Sequence, residues 1–581
     1  MRAFFKIFFA SFLALIVFTA ILFFFFIAVV GAMASKDAPQ VAERSVLQID
    51  LSEHFSEQAR NNPLSRLSGG ERSAPGLYDV VRLIRHAATD EKISGIYLVA
   101  NDNANGYAAS EELRAELLAF RQKKKFVIAH GDRMSQKAYY VASGADRVYL
   151  SPQGALDWKG LSVELLFFKN ALDRLNIRPQ VFYAGKFKSA TEPFRAERMT
   201  PENRLQTTEW LNDLYNVVLQ RAAAARRTDT ARLRRIANEG LVQNADDALR
   251  EGLVDALKYD DQVRDELKGK VGAGKYDKLH FITLDDYKEV AAYRGSGDRI
   301  ALIYAEGNII DGKGDNESIG DADYIKWIRK ARLDKSIKAI VFRVNSGGGS
   351  ALASEHIWRE LTLAKADKPL VVSFGDVAAS GGYYIGTAAD SIFALPNTIT
   401  GSIGVFTMIP EMGGFFNEKL GITFDGVKTG TYADAPNVFR PMTAAEGALA
   451  QREVDRIYSV FKQRVATGRR KDIAYIDSIA QGRVYSGARA LELGLVDRIG
   501  SLDDAVRCAA RLAKTDGYRL REYPEEKGWF SELLDREKEE PAVHLQKQLG
   551  AEQFAAFRQL VELNRLCRIP QARVPFQLQV R

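Results

Sequence analysis

The sequence predicts an α/β protein made of two tandem copies of one module, set behind an N-terminal apolar helix. Three observations carry that reading. Short apolar stretches rich in β-branched residues, such as 299–305 and 337–344, alternate with longer stretches of helical periodicity, such as 355–365 and 448–466. A set of paired residues recurs at a nearly fixed separation along the chain. Ahead of both copies, residues 7–35 are almost wholly apolar.

That apolar run has Arg2 and Lys6 at its front. At about 1.5 Å of rise per residue, roughly 20 helical residues cross the hydrocarbon core, and this run is longer. The apolar region of a cleaved signal peptide is typically about 7–15 residues. Residues 1–35 therefore read as an uncleaved signal-anchor, although Gly31-Ala32-Met33-Ala34 has the small residues of a cleavage site. Basic residues at the very N-terminus argue for that end inside and the large body outside the cytoplasm.

The duplication follows. Ile93-Ser94-Gly95-Ile96-Tyr97-Leu98 resembles Ile337-Lys338-Ala339-Ile340-Val341-Phe342. Gly131-Asp132, Ala145-Asp146 and Pro152 pair with Gly375-Asp376, Ala389-Asp390 and Pro396, each 244 positions later. Gly252-Leu253-Val254-Asp255 pairs with Gly494-Leu495-Val496-Asp497 at 242 positions, the drift that small loop deletions produce. The copies span 46–265 and 299–508. Between them, 266–298 reads as a Gly/Lys-rich linker. Its Gly269-Lys270-Val271-Gly272-Ala273-Gly274-Lys275 nearly matches a P-loop, but Tyr276 stands where Ser or Thr would hold magnesium, so ATP is not expected. The tail, 509–581, reads as polar and helical through Arg536-Glu537-Lys538-Glu539-Glu540. It ends in a strand-like arm at 574–580, to be added to its own module or to a neighbouring subunit.

Composition removes several function classes. A chain of 581 residues, 46% hydrophobic and 27% charged, has the balance and length of a globular protein with more than one core. The net charge of +7 is scattered, whereas nucleic-acid binding wants a clustered basic stripe. Cys508 and Cys567 cannot form a disulfide framework, and neither they nor the six dispersed histidines have zinc-ligand spacing. No cofactor, metal or nucleic-acid partner is expected.

Residues 375–386 read GDVAASGGYYIG and place Ser380 where a strand gives way to a helix. A serine there is either a helix N-cap or a nucleophile beside backbone N–H groups able to face an oxyanion. Comparison of the copies favours the nucleophile. At the position equivalent to Ser380 stands Gln136, and the loop Asn345-Ser346-Gly347-Gly348-Gly349-Ser350 corresponds to Asn101-Asp102-Asn103-Ala104-Asn105-Gly106, without consecutive glycines. Consecutive glycines after a strand give close backbone access and freely aimed N–H groups. No Ser, His and acid set stands out: His356 reads as a surface residue, and His130 lies in the copy without the serine. A desolvated lysine is the other base that activates serine, and Lys188 in Tyr183-Ala184-Gly185-Lys186-Phe187-Lys188-Ser189-Ala190-Thr191-Glu192-Pro193-Phe194 is a candidate.

Together YAGKFKSATEPF, RVNSGGGS, GDVAASGGYYIG and TGSIGV, in this order, resemble the signal peptide peptidase A (protease IV) family in its long, duplicated, membrane-anchored form. The resemblance covers nearly the whole chain. It implies two ClpP/crotonase-like modules, Ser380 as nucleophile, Lys188 as general base and Ser402 orienting the lysine. The N–H of Gly381, with that of Gly348 or Gly349, would hold the oxyanion. It also implies a homotetramer in a bacterial cytoplasmic membrane, acting outside the cytoplasm on signal-peptide remnants and other apolar peptides. One departure stands out: Gly347 replaces the usual loop proline, a change worth about 0.4–1 kcal/mol through unfolded-chain entropy. A crotonase-like acyl-CoA enzyme and a catalytically silent membrane-anchored scaffold are the alternatives.

Overall fold

Runs such as Ile340-Val341-Phe342, apolar on both faces, suit parallel strands covered by helices on either side. The computed structural model, which describes residues 2–34, 39–59, 75–315, 317–525 and 570–573, contains two such sheets. The first is formed by β1 (Ser45–Asp50), β2 (Ile93–Val99), β3 (Phe126–Met134) and β4 (Arg147–Leu156). After β5 (Arg178–Ala184), which leaves for another sheet, β6 (Ala256–Leu257) and β7 (Phe281–Thr283) complete it in the order β6-β4-β3-β2-β1-β7.

The second copy repeats this order. Its strands are β8 (Asp298–Glu306), β11 (Ile337–Ser346), β13 (Leu370–Ala379), β14 (Ser391–Ala394), β18 (Arg498–Ile499) and β19 (Tyr518–Tyr523), paired as β18-β14-β13-β11-β8-β19. β2, β3 and β4 start 244 residues before β11, β13 and β14, so the sequence repeat is a repeat of sheet positions. β15 (Ile399–Gly401) extends the edge beside β13, and β17 (Val484–Ser486) pairs with it antiparallel.

A third sheet joins the copies. It runs β10-β9-β12-β20-β16-β5 and uses β9 (Asn308–Ile310), β10 (Ser318–Gly320), β12 (Gly348–Ser350), β16 (Val405–Glu411) and β20 (Gln571–Arg573). β5 of the first copy pairs antiparallel with β16 of the second, from Ala184 opposite Val405 to Arg178 opposite Glu411. The chain leaving β5 is thereby carried onto the second copy.

A buried ion cluster ties the copies together. Arg343 on β11 is 0% exposed; its Nε donates to Glu57 at 2.8 Å and a terminal nitrogen to Glu112 at 2.7 Å, both in the first copy. Asp376, at the end of β13, accepts from Ala108 N at 2.8 Å and Ala109 N at 3.2 Å, capping the first-copy helix Tyr107–Gln122 from across the boundary. A side chain at Gly106 would overlap Asp376, so the preceding residue has to be small.

Two boundary expectations need correction. Residues 266–298 are not a free linker: they include the end of helix Asp260–Val271, β7 and helix Leu284–Val290, with Ile282, Leu284 and Tyr287 buried in the first core. Three well-spaced apolar side chains in a polar stretch suffice to dock it. The glycines of its P-loop-like run end a helix rather than begin one, with Gly272 capping it at φ 68°. The second module also runs past 508, because helix Leu502–Leu512 continues and β19 pairs with β8. The run 536–540 and the arm 574–580 lie outside the described residues. At the front, helix Arg2–Ala34 holds the apolar stretch Phe4–Phe25, of mean hydropathy 2.8, with none of it buried against the rest of the chain.

Arg343→Ala leaves two carboxylates buried without their cation, and breaking such a cluster typically costs about 3–5 kcal/mol. Urea unfolding of this variant is expected to show a loss of that size, with Arg329→Ala, at a more exposed ion pair with Glu360, changing stability far less.

Candidate active site

β13 ends at Ala379, and the next residue turns sharply. Ser380 has φ 55° and ψ −115°, a conformation that costs a non-glycine residue on the order of 1–3 kcal/mol. Its N–H donates to Gly401 O at 2.8 Å, which holds the turn against β15. Its side chain makes no capping bond to helix Gly381–Gly386. In the first copy, by contrast, Ser135 has ordinary extended φ and ψ and its hydroxyl accepts from Ala138 N at 3.2 Å. The N-cap reading thus holds for Ser135 and fails for Ser380, whose Oγ is directed elsewhere.

It is directed at Lys188. The chain leaves β5, turns at Gly185 (φ 102°), and is pinned by Phe187 N donating to Gln481 O at 2.8 Å. Gln206 donates to Phe187 O at 3.1 Å and to Ser189 Oγ at 3.0 Å, while Glu192 accepts from Thr200 Oγ1 at 2.6 Å and Asn203 Nδ2 at 2.8 Å. These bonds fix the loop so that Lys188, 1% exposed, places Nζ 2.8 Å from Ser380 Oγ, 3.1 Å from Ser402 Oγ and 3.3 Å from Ser402 O. Among the described residues no carboxylate pairs with it, and burial alone pulls its pKa well below the usual lysine range. Ser402 is itself at φ 50°, its N–H donating to Arg483 O at 2.7 Å. A Cβ at Gly482 would lie 2.8 Å from the Lys188 Cβ, so only glycine leaves the lysine its place.

The glycines lie on the other side of Ser380. Gly348 is at φ 97°, and its N–H donates to Ser346 Oγ at 3.1 Å. Gly349 pairs with Ala572 of β20. The carbonyl oxygen of Ala572 sits between Gly348 and Gly381: a Cβ on Gly381 would come within 2.9 Å of it, and one on Gly348 would overlap it. The structure therefore gathers Ser380, Lys188, Ser402, Gly348, Gly349 and Gly381 in one place. The histidines stay apart. His356 Nδ1 lies 2.6 Å from Asp321 on the surface, and His130 Nε2 is 3.0 Å from Lys258 O.

With that geometry in place, comparison with known proteins is decisive. The family model described as peptidase family S49 matches the chain twice, over residues 119–274 and 362–516. The chain belongs to peptidase family S49. Protease 4 of Haemophilus influenzae is 37% identical over 75% of this chain and 72% of the relative. Protease 4 of Salmonella typhi is 35% identical over 88% of this chain and 86% of the relative. The chloroplastic serine protease SPPA of Arabidopsis thaliana is 32% identical over 82% of this chain and 70% of the relative. The protein is a serine protease of this family. Lys188 falls in the first matched stretch, Ser380 and Ser402 in the second, and the glycine loop lies outside both.

Sequence reasoning missed several residues that position Lys188. Gly482 and Gln206 belong to no motif and act only through contacts the fold creates; Glu192 stands inside YAGKFKSATEPF and was visible there. Burying an amine without a counter-charge has a stability signature. Because the folded-state pKa of Lys188 is depressed, only the unfolded chain holds the extra proton between that value and the unfolded one of about 10.4, and stability rises with pH through this window. Lys188→Met is expected to remove that rise and to gain on the order of 1 kcal/mol at neutral pH, measured by denaturant unfolding at several pH values.

Proposed function

We propose that this S49 serine protease cleaves extended apolar peptides, signal-peptide remnants foremost, through a dyad of Ser380 and Lys188, while its N-terminal helix anchors it in a bacterial cytoplasmic membrane. The observation that carries the dyad is a buried lysine amine 2.8 Å from the hydroxyl of a serine with a strained backbone, with no carboxylate among the described residues paired with the amine. In this reading neutral Lys188 Nζ takes the Ser380 proton and Oγ attacks the peptide carbonyl carbon. The oxyanion is held by the Gly381 N–H with that of Gly348 or Gly349; each such donor is typically worth about 2.7–4 kcal/mol in the barrier. The bond of Gly348 N–H to Ser346 favours Gly349 for the second donor. Ser402 Oγ orients the amine, Lys188 passes the proton to the departing amine, and water hydrolyses the acyl-enzyme.

The substrate class rests on the family resemblance and on the third sheet, where β12 and β16 flank one extended segment, held here by β20. Exposed Leu420, Ile422, Phe424, Val427 and Phe439 offer an apolar surface that assembly into a homotetramer would cover. The apolar stretch Phe4–Phe25 is long enough to span a bilayer.

Ser380→Ala is expected to abolish peptide hydrolysis and labelling by a serine-reactive probe, and Lys188→Ala to lower kcat by about 10²–10⁴-fold, the range of general-base catalysis. The low-pH limb of the kcat profile should follow deprotonation of the depressed lysine, activity falling as pH drops through its value. Near wild-type turnover in either variant would sink the dyad. Protease treatment of intact spheroplasts is expected to digest the body; protection would place it in the cytoplasm and refute the topology.

A further inference from the structure

A single side-chain amide is bonded to both halves of the site. Helix Pro201–Arg226 of the first copy carries Gln206, Glu209 and Asp213 at i, i+3 and i+7, a spacing that puts them on one face, and all three bond to the second-copy segment 483–486. Gln206 is 2% exposed. Its Nε2 donates to Phe187 O at 3.1 Å and Ser189 Oγ at 3.0 Å, on either side of Lys188, and to Asn203 Oδ1 at 3.2 Å. Its Oε1 accepts from Val484 N at 3.1 Å. Val484 lies opposite Gly401 in the β15–β17 pair, and Gly401 O is the acceptor that holds the Ser380 N–H at 2.8 Å. Phe187 O needs a donor and Val484 N an acceptor; an amide meets both, and an ionised carboxylate of the same shape could not donate to Phe187 O. Next to Val484, Arg483 O accepts from Ser402 N at 2.7 Å. Glu209 pairs with the Arg483 guanidinium, which lies 4.8 Å from the Phe187 ring centroid. Asp213 accepts from Ser486 Oγ at 2.7 Å.

We infer that Gln206 is a positioning residue for the reaction, setting the reach of Lys188 Nζ to Ser380 Oγ by tying the lysine loop and the strand edge behind the serine to one helix. This role rests on the Ser380–Lys188 reading. Gln206 bonds to neither reacting atom; it acts through the backbone on both sides of them. The amine of Lys188 is bonded only to Ser380 and Ser402, so where the lysine backbone is fixed decides whether Nζ reaches Oγ. Without the amide, Phe187 O and Val484 N lose their common partner, and the lysine loop can move against β17. Its bonds reach neither β12 nor β16, so the strands that would receive an extended peptide keep their places. Glu209 braces the same junction from one helical turn away, through Arg483.

The test is a double-mutant cycle on the full chain in detergent, read by hydrolysis of an extended apolar peptide and by the rate at which a small fluorophosphonate labels Ser380. Gln206→Ala is expected to lower kcat by about 10²-fold, the effect a misplacement of about 1 Å can bring, with KM little changed. It is expected to slow labelling by a similar factor while Lys188 is present, and to change nothing further in a Lys188→Ala chain, as for groups that act as a unit. Glu209→Ala, at a half-exposed ion pair, is expected to show the same pattern with a smaller factor. If Gln206→Ala fails to fold, the cycle on Glu209→Ala decides. Equal losses of labelling rate with and without Lys188 overturn the role, because the damage then does not pass through the lysine. Near wild-type kcat, or a raised KM with kcat kept, overturns it as well and leaves the dyad standing. Near wild-type turnover and labelling in Lys188→Ala alone overturn the dyad itself.

Discussion

The pKa of an amine falls where water and counter-charge are both kept from it, and among the described residues the surroundings of Lys188 do both. The lysine comes from a loop of the first copy, and its surroundings come largely from the second: Ser380, Ser402 and Gly482. No carboxylate among the described residues reaches the amine, so desolvation is the whole cause of its lowered pKa. The relative placement of the two copies is therefore the quantity the site depends on. A shift of about 1 Å between them would separate Nζ from Oγ, and misplacements of that size can cost about 10²-fold in rate.

That placement is held by polar groups as much as by apolar packing. Arg343 reaches from the second copy into two first-copy carboxylates, and Asp376 caps a first-copy helix. Buried charge is a poor source of net stability, but any arrangement that parted Arg343 from Glu57 and Glu112 would leave buried charge unpaired. β5 and β16 add a ladder of backbone bonds across the same boundary. One fold, used twice, has thus been divided between two tasks. The first copy keeps an ordinary N-cap at Ser135, with Gln136 accepting from Lys159 N and Gly160 N. The second puts backbone strain at Ser380 and Ser402, on either side of the amine.

The third sheet gives the site its form as a slot rather than a pocket. β20, the strand seated there, pairs with β12 and β16 through its backbone, a mode of pairing that does not depend on side chains. Opposite Gly349 stands Ala572, which is 1% exposed.

Local chemistry and internal repetition were legible in the sequence. The 244-residue spacing carried over into strand order, the β-branched runs became buried parallel strands, and Ser380, Lys188 and Ser402 could be named from short motifs. Module edges were misjudged where a few apolar side chains, such as Ile282 and Tyr287, dock a polar stretch, because that energy comes from a partner surface absent from the local pattern. Only the tertiary structure decided that Lys188 and Ser380, 192 residues apart, meet at 2.8 Å, that Arg343 bridges the copies, and that Ala572 lies in the slot. Desolvation, backbone strain and strand addition are properties of surroundings. A sequence names the groups that respond to them, and the fold supplies the surroundings.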